Sequence, residues 1–218
     1  MGIGARLNYY ASFKDTDVFQ PGKFNPGLFE TNKKKVKALY PYSGSLVVEL
    51  NGPKAETMND IIVQMNDGDL STGVVMSIDP LLVACYSPDF DAVALYCFPT
   101  ELGIKMGWST GKRLLTVNAY NGYGMIKKLK DLDLGPGCKA KFKSFGPLIA
   151  ELYTDNTERV ARKKAEIPEE MWLHTESLGR QYMTLHPGVA RNGCGPRFKE
   201  ARPLEKLKMK CKVEKLNL

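Results

Sequence analysis

The residues that could carry out catalysis or bind a metal are few in this sequence. The chain has two histidines and five cysteines. His174, His186, Cys194 and Cys211 form the one group that is clustered by position, but none of their spacings is the tight pair that usually builds a zinc site. A Cys or Ser nucleophile needs a base, generally His, within hydrogen-bond reach, and both histidines fall late in the chain. We therefore predict no catalytic residue, no metal site and no cofactor.

The carboxylates suggest an alternative hypothesis for the function. Asp67, Asp69 and Asp91 flank a β-rich stretch of the sequence. Short side chains of this kind in turns usually bond their own backbone. If they lie together at an acidic mouth at one end of the sheet, the hypothesis is a small-ligand-binding or enzymatic β domain. A deep pocket with convergent polar groups would indicate such a domain.

The positive charge of the chain is distributed unevenly. The net charge is +7, and the basic residues are concentrated in 1–40 and 111–218, whereas 41–110 hold two Lys/Arg against nine Asp/Glu. A basic surface attracts an acidic partner. The cations that we predict to bind a partner are Lys33, Lys34, Lys35, Arg191, Arg197, Lys199, Arg202, Lys206, Lys208 and Lys210.

The element that must position these groups is a β-rich core. Residues 70–99 contain three short apolar runs, 74–78, 81–86 and 91–98, which are separated by turn formers. Runs of this length and composition indicate strands, and their short turns indicate an antiparallel meander. Strand-sized runs over 36–41, 45–50, 61–65, 103–108, 113–120, 125–129, 139–145 and 147–153 extend this pattern.

The fold class that follows is mainly β, an antiparallel meander, sandwich or barrel, and α+β overall because helices come after it. Residues 158–166 are good helix formers, and Pro168 begins a second run whose apolar residues recur at helical spacing up to Leu185. We predict an aromatic-bearing arm at 1–32, a β-rich domain at 33–153, a helical segment packed on the sheet at 154–188 and an extended basic tail at 189–218.

The cysteine pattern and the absence of a targeting segment suggest a location. The five cysteines are odd in number and include no CxxC pair, so we expect thiols in a reducing compartment. The sequence has neither a secretory signal nor an apolar run long enough to span a membrane. We expect a cytoplasmic protein, with the cytoskeleton or cilium as settings, and no membrane or lipid attachment.

These features favour a structural or adaptor protein that is not an enzyme. Its basic arms would dock on an acidic assembly, such as the tubulin surface of a microtubule or axoneme. The alternative is an RNA-binding or ribosome-associated protein, because Lys and aromatic residues alternate in 108–145 and could contact phosphates and stack bases.

Overall fold

The structure is a computed structural model, and it describes residues 29–39, 58–123, 129–139, 142–195 and 199–216. These residues form a curled mixed sheet of seven strands, a half-barrel, together with six α-helices. The predicted mixed α+β class is confirmed. The strand order is β5-β4-β1-β2-β3-β6-β7.

The strands are β1 (Asp69–Ile78), β2 (Leu81–Ser87), β3 (Ala92–Phe98), β4 (Arg113–Tyr123), β5 (Phe142–Ile149), β6 (Val189–Asn192) and β7 (Arg202–Pro203). The helices are α1 (Lys33–Leu39), α2 (Met58–Asp67), α3 (Thr100–Lys105), α4 (Ala150–Tyr153), α5 (Thr157–Ala165) and α6 (Glu169–Leu185). Two short 3-10 helices, Leu204–Lys206 and Val213–Lys215, complete the described elements.

The predicted central meander is confirmed. Strands β1, β2 and β3 pair antiparallel in sequence order, and every residue of β2 and β3 is buried. Such continuous burial requires cover on both faces of the sheet. Strand β4 lies beside β1, and β5 lies beside β4.

Helix α6 covers one face of the meander and comes unusually close to it. A Cβ added at Gly179 would lie 2.8 Å from both the Ala84 Cβ and the Met76 Sδ. On the same side of the helix, the hydroxyls of Thr175 and Thr72 are hydrogen-bonded to each other. The glycine thus lets the helix backbone pack directly on β1 and β2.

Three predicted strands are wrong, because residues 36–39 and 61–65 lie in helices and residues 103–108 form the end of a helix and the turn after it. Residues 36–39 belong to α1, 61–65 to α2 and 103–105 to α3. A short apolar run does not distinguish a strand from one face of a helix. In α2 the buried residues Ile61, Gln64 and Met65 follow helical spacing, and Asn32 caps α1 by accepting a hydrogen bond from the Lys35 N–H at 3.1 Å.

The predicted strand at 147–153 divides at Ile149, where β5 ends and α4 begins. The strand predicted at 45–50 lies outside the described residues, as do 125–128 of the strand predicted at 125–129 and residues 1–28 of the predicted arm.

The segment that we predicted as an extended tail joins the sheet. Strand β6 pairs parallel with β3, and β7 pairs antiparallel with β6. Cys194 and Cys211 form a disulfide, with their Cα atoms 5.6 Å apart, so the expectation of free thiols is wrong for these two residues. Backbone pairing explains the difference, because it leaves little trace in the side-chain pattern of so short a strand.

Within the described ranges, no helix combines the length and apolar character needed to cross a membrane.

Candidate functional site

The two basic regions of the sequence meet on one side of the molecule. The backbone N–H of Lys212 donates a 2.8 Å hydrogen bond to the carbonyl of Ala38, the next-to-last residue of α1. The Lys105 Nζ donates to the carbonyl of Val213 at 3.1 Å, and Leu216 beyond it is buried. The C-terminal segment is therefore fixed against α1 and α3.

This contact creates a surface that we call the basic face. Its exposed lysines are Lys33, Lys34 and Lys37 on α1 and Lys210, Lys212 and Lys215 on the C-terminal segment. An exposed acidic residue, Glu214, lies among them. Lys37, Lys212 and Lys215 are not among the cations that we predicted to bind a partner. The helix-capping Asn32 in front of the lysine run was a signal for α1, whereas nothing local predicted that the C-terminal segment would return to it.

The C-terminal region holds further predicted cations outside the basic face. Lys199, Arg202, Lys206 and Lys208 are exposed. The carbonyl of Lys208 accepts a 3.0 Å hydrogen bond from the side chain of Asn192 in β6. Arg197 lies outside the described residues.

Lys35 does not belong to the basic face, and its prediction as a partner-binding residue is wrong. The residue is 7% exposed. Its Nζ lies 2.7 Å from Asp155 Oδ1 and 3.2 Å from the carbonyl of Thr154. Hydrogen bonds from Lys35 and Asn32 lower the pKa of Asp155. Lys35 thus joins α1 to the region between α4 and α5.

Arg191 is the second wrong prediction, since it is 1% exposed. Its Nε lies 2.7 Å from Asp131 Oδ2, and its Nη2 lies 3.2 Å from Asp131 Oδ1. The Nη1 donates to the carbonyl of Phe145 in β5 at 3.1 Å. The guanidinium also lies 5.9 Å from the ring centre of Tyr96. Arg191 therefore ties β6 to β5 across the interior of the curled sheet.

The acidic partner of Arg191 comes from a segment that we call the strap, residues 129–139. Besides Asp131, the strap contributes Asp133, whose Oδ2 lies 2.7 Å from the Nε2 of His186. Leu132 between them is buried. The strap is thus attached both to the sheet interior and to the end of α6.

Asp91 accepts hydrogen bonds from the second half of the strap. The N–H of Gly137 donates to Asp91 Oδ2 at 3.0 Å, and the N–H of Gly135 donates to its carbonyl at 3.0 Å. A Cβ at Gly135 would lie 2.2 Å from the Asp91 carboxylate. Asp91 itself has a φ of 45°, a left-handed conformation that Asp tolerates better than most residues.

The carboxylate of Asp91 also contacts two side chains. Its Oδ1 accepts a 2.9 Å hydrogen bond from the Tyr86 hydroxyl and lies 2.9 Å from the Nε2 of His174. Burial alone would raise the pKa of Asp91, but the hydrogen bonds from His174, Gly137 and Tyr86 outweigh it and lower the pKa. Asp91 is therefore engaged with the protein's own groups.

Asp69, at the start of β1, and Asp89, between β2 and β3, form a second acidic group. Loss of hydration, followed by repulsion from the Asp89 carboxylate, raises the pKa of Asp69 to about 7, although a hydrogen bond with Tyr120 opposes the rise. Asp89 is 1% exposed, whereas Asp67 at the end of α2 is exposed. The three residues of the predicted acidic mouth therefore have three different environments.

A small cavity lies inside the curl, and its lining includes Tyr96, Phe98, Pro147, Ile149 and Leu152. None of the carboxylates above lines this cavity. Across the described ranges, no group of three or more His, Cys, Asp or Glu residues could hold a metal ion.

Residues 107–111 read Gly-Trp-Ser-Thr-Gly, the spacing of a serine nucleophile elbow, which is a strand-to-helix turn. Here the segment leads instead from α3 into β4. The carbonyl of Ser109 accepts a 3.0 Å hydrogen bond from the Lys112 N–H. This geometry is a turn between a helix and a strand, so the motif does not form an elbow.

Comparison of the chain with protein families, with curated proteins and with solved structures finds no significant match.

Proposed function

We propose that this protein is a structural or adaptor protein, not an enzyme, whose basic face docks on an acidic protein assembly. The observation that carries the proposal is the junction of α1 with the C-terminal segment, where the Lys212 N–H bonds the Ala38 carbonyl. The junction places lysines from distant parts of the sequence on one surface.

Charge supports an acidic partner for this surface. Helix α1 has four lysines and no acidic residue, and three of these lysines are exposed. Clustered exposed cations raise the association rate with an acidic surface and favour it over a basic one. The C-terminal segment is held by the disulfide and by β7, so less ordering entropy would be lost on binding than for a free tail.

The setting that we propose is the outer surface of a microtubule or axoneme, in the cytoplasm or cilium. The arm predicted at 1–32 would add further contacts with the same assembly. Because Cys194 and Cys211 are bonded to each other, the thiols that we expect in a reducing compartment are Cys85, Cys97 and Cys138.

The direct test is co-sedimentation of the full chain with taxol-stabilised microtubules at several salt concentrations. We expect the triple variant Lys34→Glu, Lys212→Glu, Lys215→Glu to bind about tenfold more weakly, because three favourable exposed charge contacts become repulsive. Added salt should weaken the wild type more than the variant.

A matched control has the same charge change elsewhere. Lys112, Lys130 and Arg162 are also exposed, and replacing all three with Glu should leave most of the binding. Equal losses in the two triple variants would contradict a specific basic face. Binding to a mixed-sequence RNA without binding to microtubules would transfer the proposal to nucleic acid.

A further inference from the structure

Both histidines of the chain hold the same segment. His174 contacts Asp91, to which Gly135 and Gly137 of the strap are bonded, and His186 contacts Asp133 of the strap itself. Both histidines extend from α6 and the residue that follows it. His186 therefore contacts the strap directly, His174 is linked to it through Asp91, and both imidazoles can change charge.

We propose that residues 133–138 of the strap are a pH-dependent latch, which protonation of His174 and His186 closes onto α6 and deprotonation loosens. The inference goes beyond the proposed docking function and does not depend on it.

The chemistry follows from the residue types. Histidine side chains generally change charge between about pH 5 and pH 8. A protonated imidazole makes a charge-assisted hydrogen bond to a carboxylate, which is roughly twice as strong as the bond from a neutral imidazole. The two contacts, at 2.9 Å for His174 and 2.7 Å for His186, are short enough for such bonds.

The groups around the two imidazoles favour a latch that closes on protonation. His174 faces Asp91 and the edge of the Tyr86 ring, 5.3 Å between centres. His186 faces Asp133 and the ring of Tyr182, 4.8 Å between centres. The other charged residues nearby along the chain are Glu170, one turn before His174, and Lys130 and Lys139 at the two ends of the strap. The contacts that the imidazoles make are thus with acidic or phenolic groups.

Three attachments of the strap do not titrate in this range, and two of them are backbone hydrogen bonds, from the Gly135 N–H to the Asp91 carbonyl and from the Lys139 N–H to the Asp89 carbonyl. The third is the pair of Arg191 and Asp131. Arg191 keeps its charge at any physiological pH, and its bond to Asp131 is buried. Residue 131 therefore stays fixed, while the pH response of 133–138 comes from the Asp133 contact with His186 and the Gly137 bond to the Asp91 carboxylate. This contrast within one segment separates a local latch from a general loss of stability.

Hydrogen exchange measured by mass spectrometry tests the latch on the full chain. After correction for the intrinsic chemical rate, we expect the protection of 133–138 to fall roughly fivefold between pH 6 and pH 8. Peptides from β2 serve as the internal reference. Because the pKa of Asp69 lies at about 7, its titration changes global stability in the same range, so every comparison is made in an Asp69→Asn background.

Three variants separate the effect of histidine protonation from the effects of other charged groups. His174→Gln with His186→Gln keeps an N–H donor at each site but no titrating charge, so protection of 133–138 should no longer depend on pH. Asp91→Asn tolerates the left-handed backbone and should remove only the His174 part of the response. The matched control, Arg180→Gln, breaks an α6 ion pair with Glu176 and should leave the response intact.

Two results would overturn the proposal. One is an unchanged pH response in the double histidine variant. The other is a loss of protection that is equal in the strap and in β2, since that would be global unfolding and no latch.

Discussion

Two sets of cations look alike in the sequence and differ in the fold. Arg191 and Lys35 are buried against Asp131 and Asp155, whereas the lysines of the basic face are exposed. The first set holds separate elements of the protein together, and we propose that the second set contacts a partner. A positive charge therefore acquires its role from the anion that the fold brings to it, and the comparison can be tested one residue at a time.

The largest effect is expected at Arg191. Arg191→Met leaves the Asp131 carboxylate buried without its counter-ion, which should cost about 3–5 kcal/mol of unfolding free energy. Urea unfolding followed by circular dichroism measures this loss. The control is Arg113→Met, because Arg113 pairs with Glu169 at the surface and should cost less than about 1 kcal/mol. Similar losses in both variants would mean that burial does not separate the two kinds of cation.

A half-buried carboxylate beside a like charge should make the unfolding free energy depend on pH. Asp69, with its pKa raised to about 7 beside Asp89, binds its proton more tightly in the folded than in the unfolded chain. Its contribution to stability is therefore complete below about pH 4 and is lost as pH rises towards 7, on the order of 4 kcal/mol.

Asp69→Asn should remove this part of the pH dependence. In urea unfolding, the free energy of unfolding of the variant should therefore rise relative to that of the wild type between pH 5 and pH 8. Asp67→Asn alters an exposed carboxylate two residues earlier and should not change the slope. If the unfolding free energy of Asp69→Asn depended on pH as strongly as that of the wild type, the environment assigned to Asp69 would be wrong.

Lys35 should give an intermediate effect. Lys35→Met removes a buried ammonium from Asp155, which is itself largely exposed and can be hydrated, so the cost should be about 1 kcal/mol. Lys34→Met, the neighbouring exposed position, should change the thermal midpoint by less than the Lys35 variant does. The comparison would fail if Lys34 mattered more to stability than Lys35.

The smallest effect on stability is expected on the basic face. Substitution of Lys212 and Lys215 with Glu should change the unfolding free energy by less than about 0.5 kcal/mol, as is usual for exposed positions. Thermal unfolding measures it. A large loss would place these lysines with Arg191, as residues that hold the fold.

The sequence predicted the centre of the sheet better than its surroundings. Strands β1–β3 combine apolar runs with local turns, so neighbouring residues carry the information. Helices α1 and α2 were missed because a run of five or six residues fits either period, although Asn32 marks the start of α1. Strand β6 was missed because it is four residues long and pairs through its backbone.

The groups around the strap could not have been predicted from local pattern. Asp91 and His174 are 83 residues apart, and Arg191 and Asp131 are 60 apart. Only the curl of the sheet and the path of α6 bring them together. Charge alone predicted Arg191 as an exposed cation because nothing near it in the sequence marks its partner.

The most direct test of the central claim is lysine acetylation footprinting of the full chain, with and without microtubules. We expect Lys34, Lys37, Lys212 and Lys215 to lose reactivity on binding, Lys112 to stay reactive, and Lys35 to react slowly in both samples because it is buried. Protection that appears at Lys112 and not on α1 or the C-terminal segment would contradict the basic face as the docking surface.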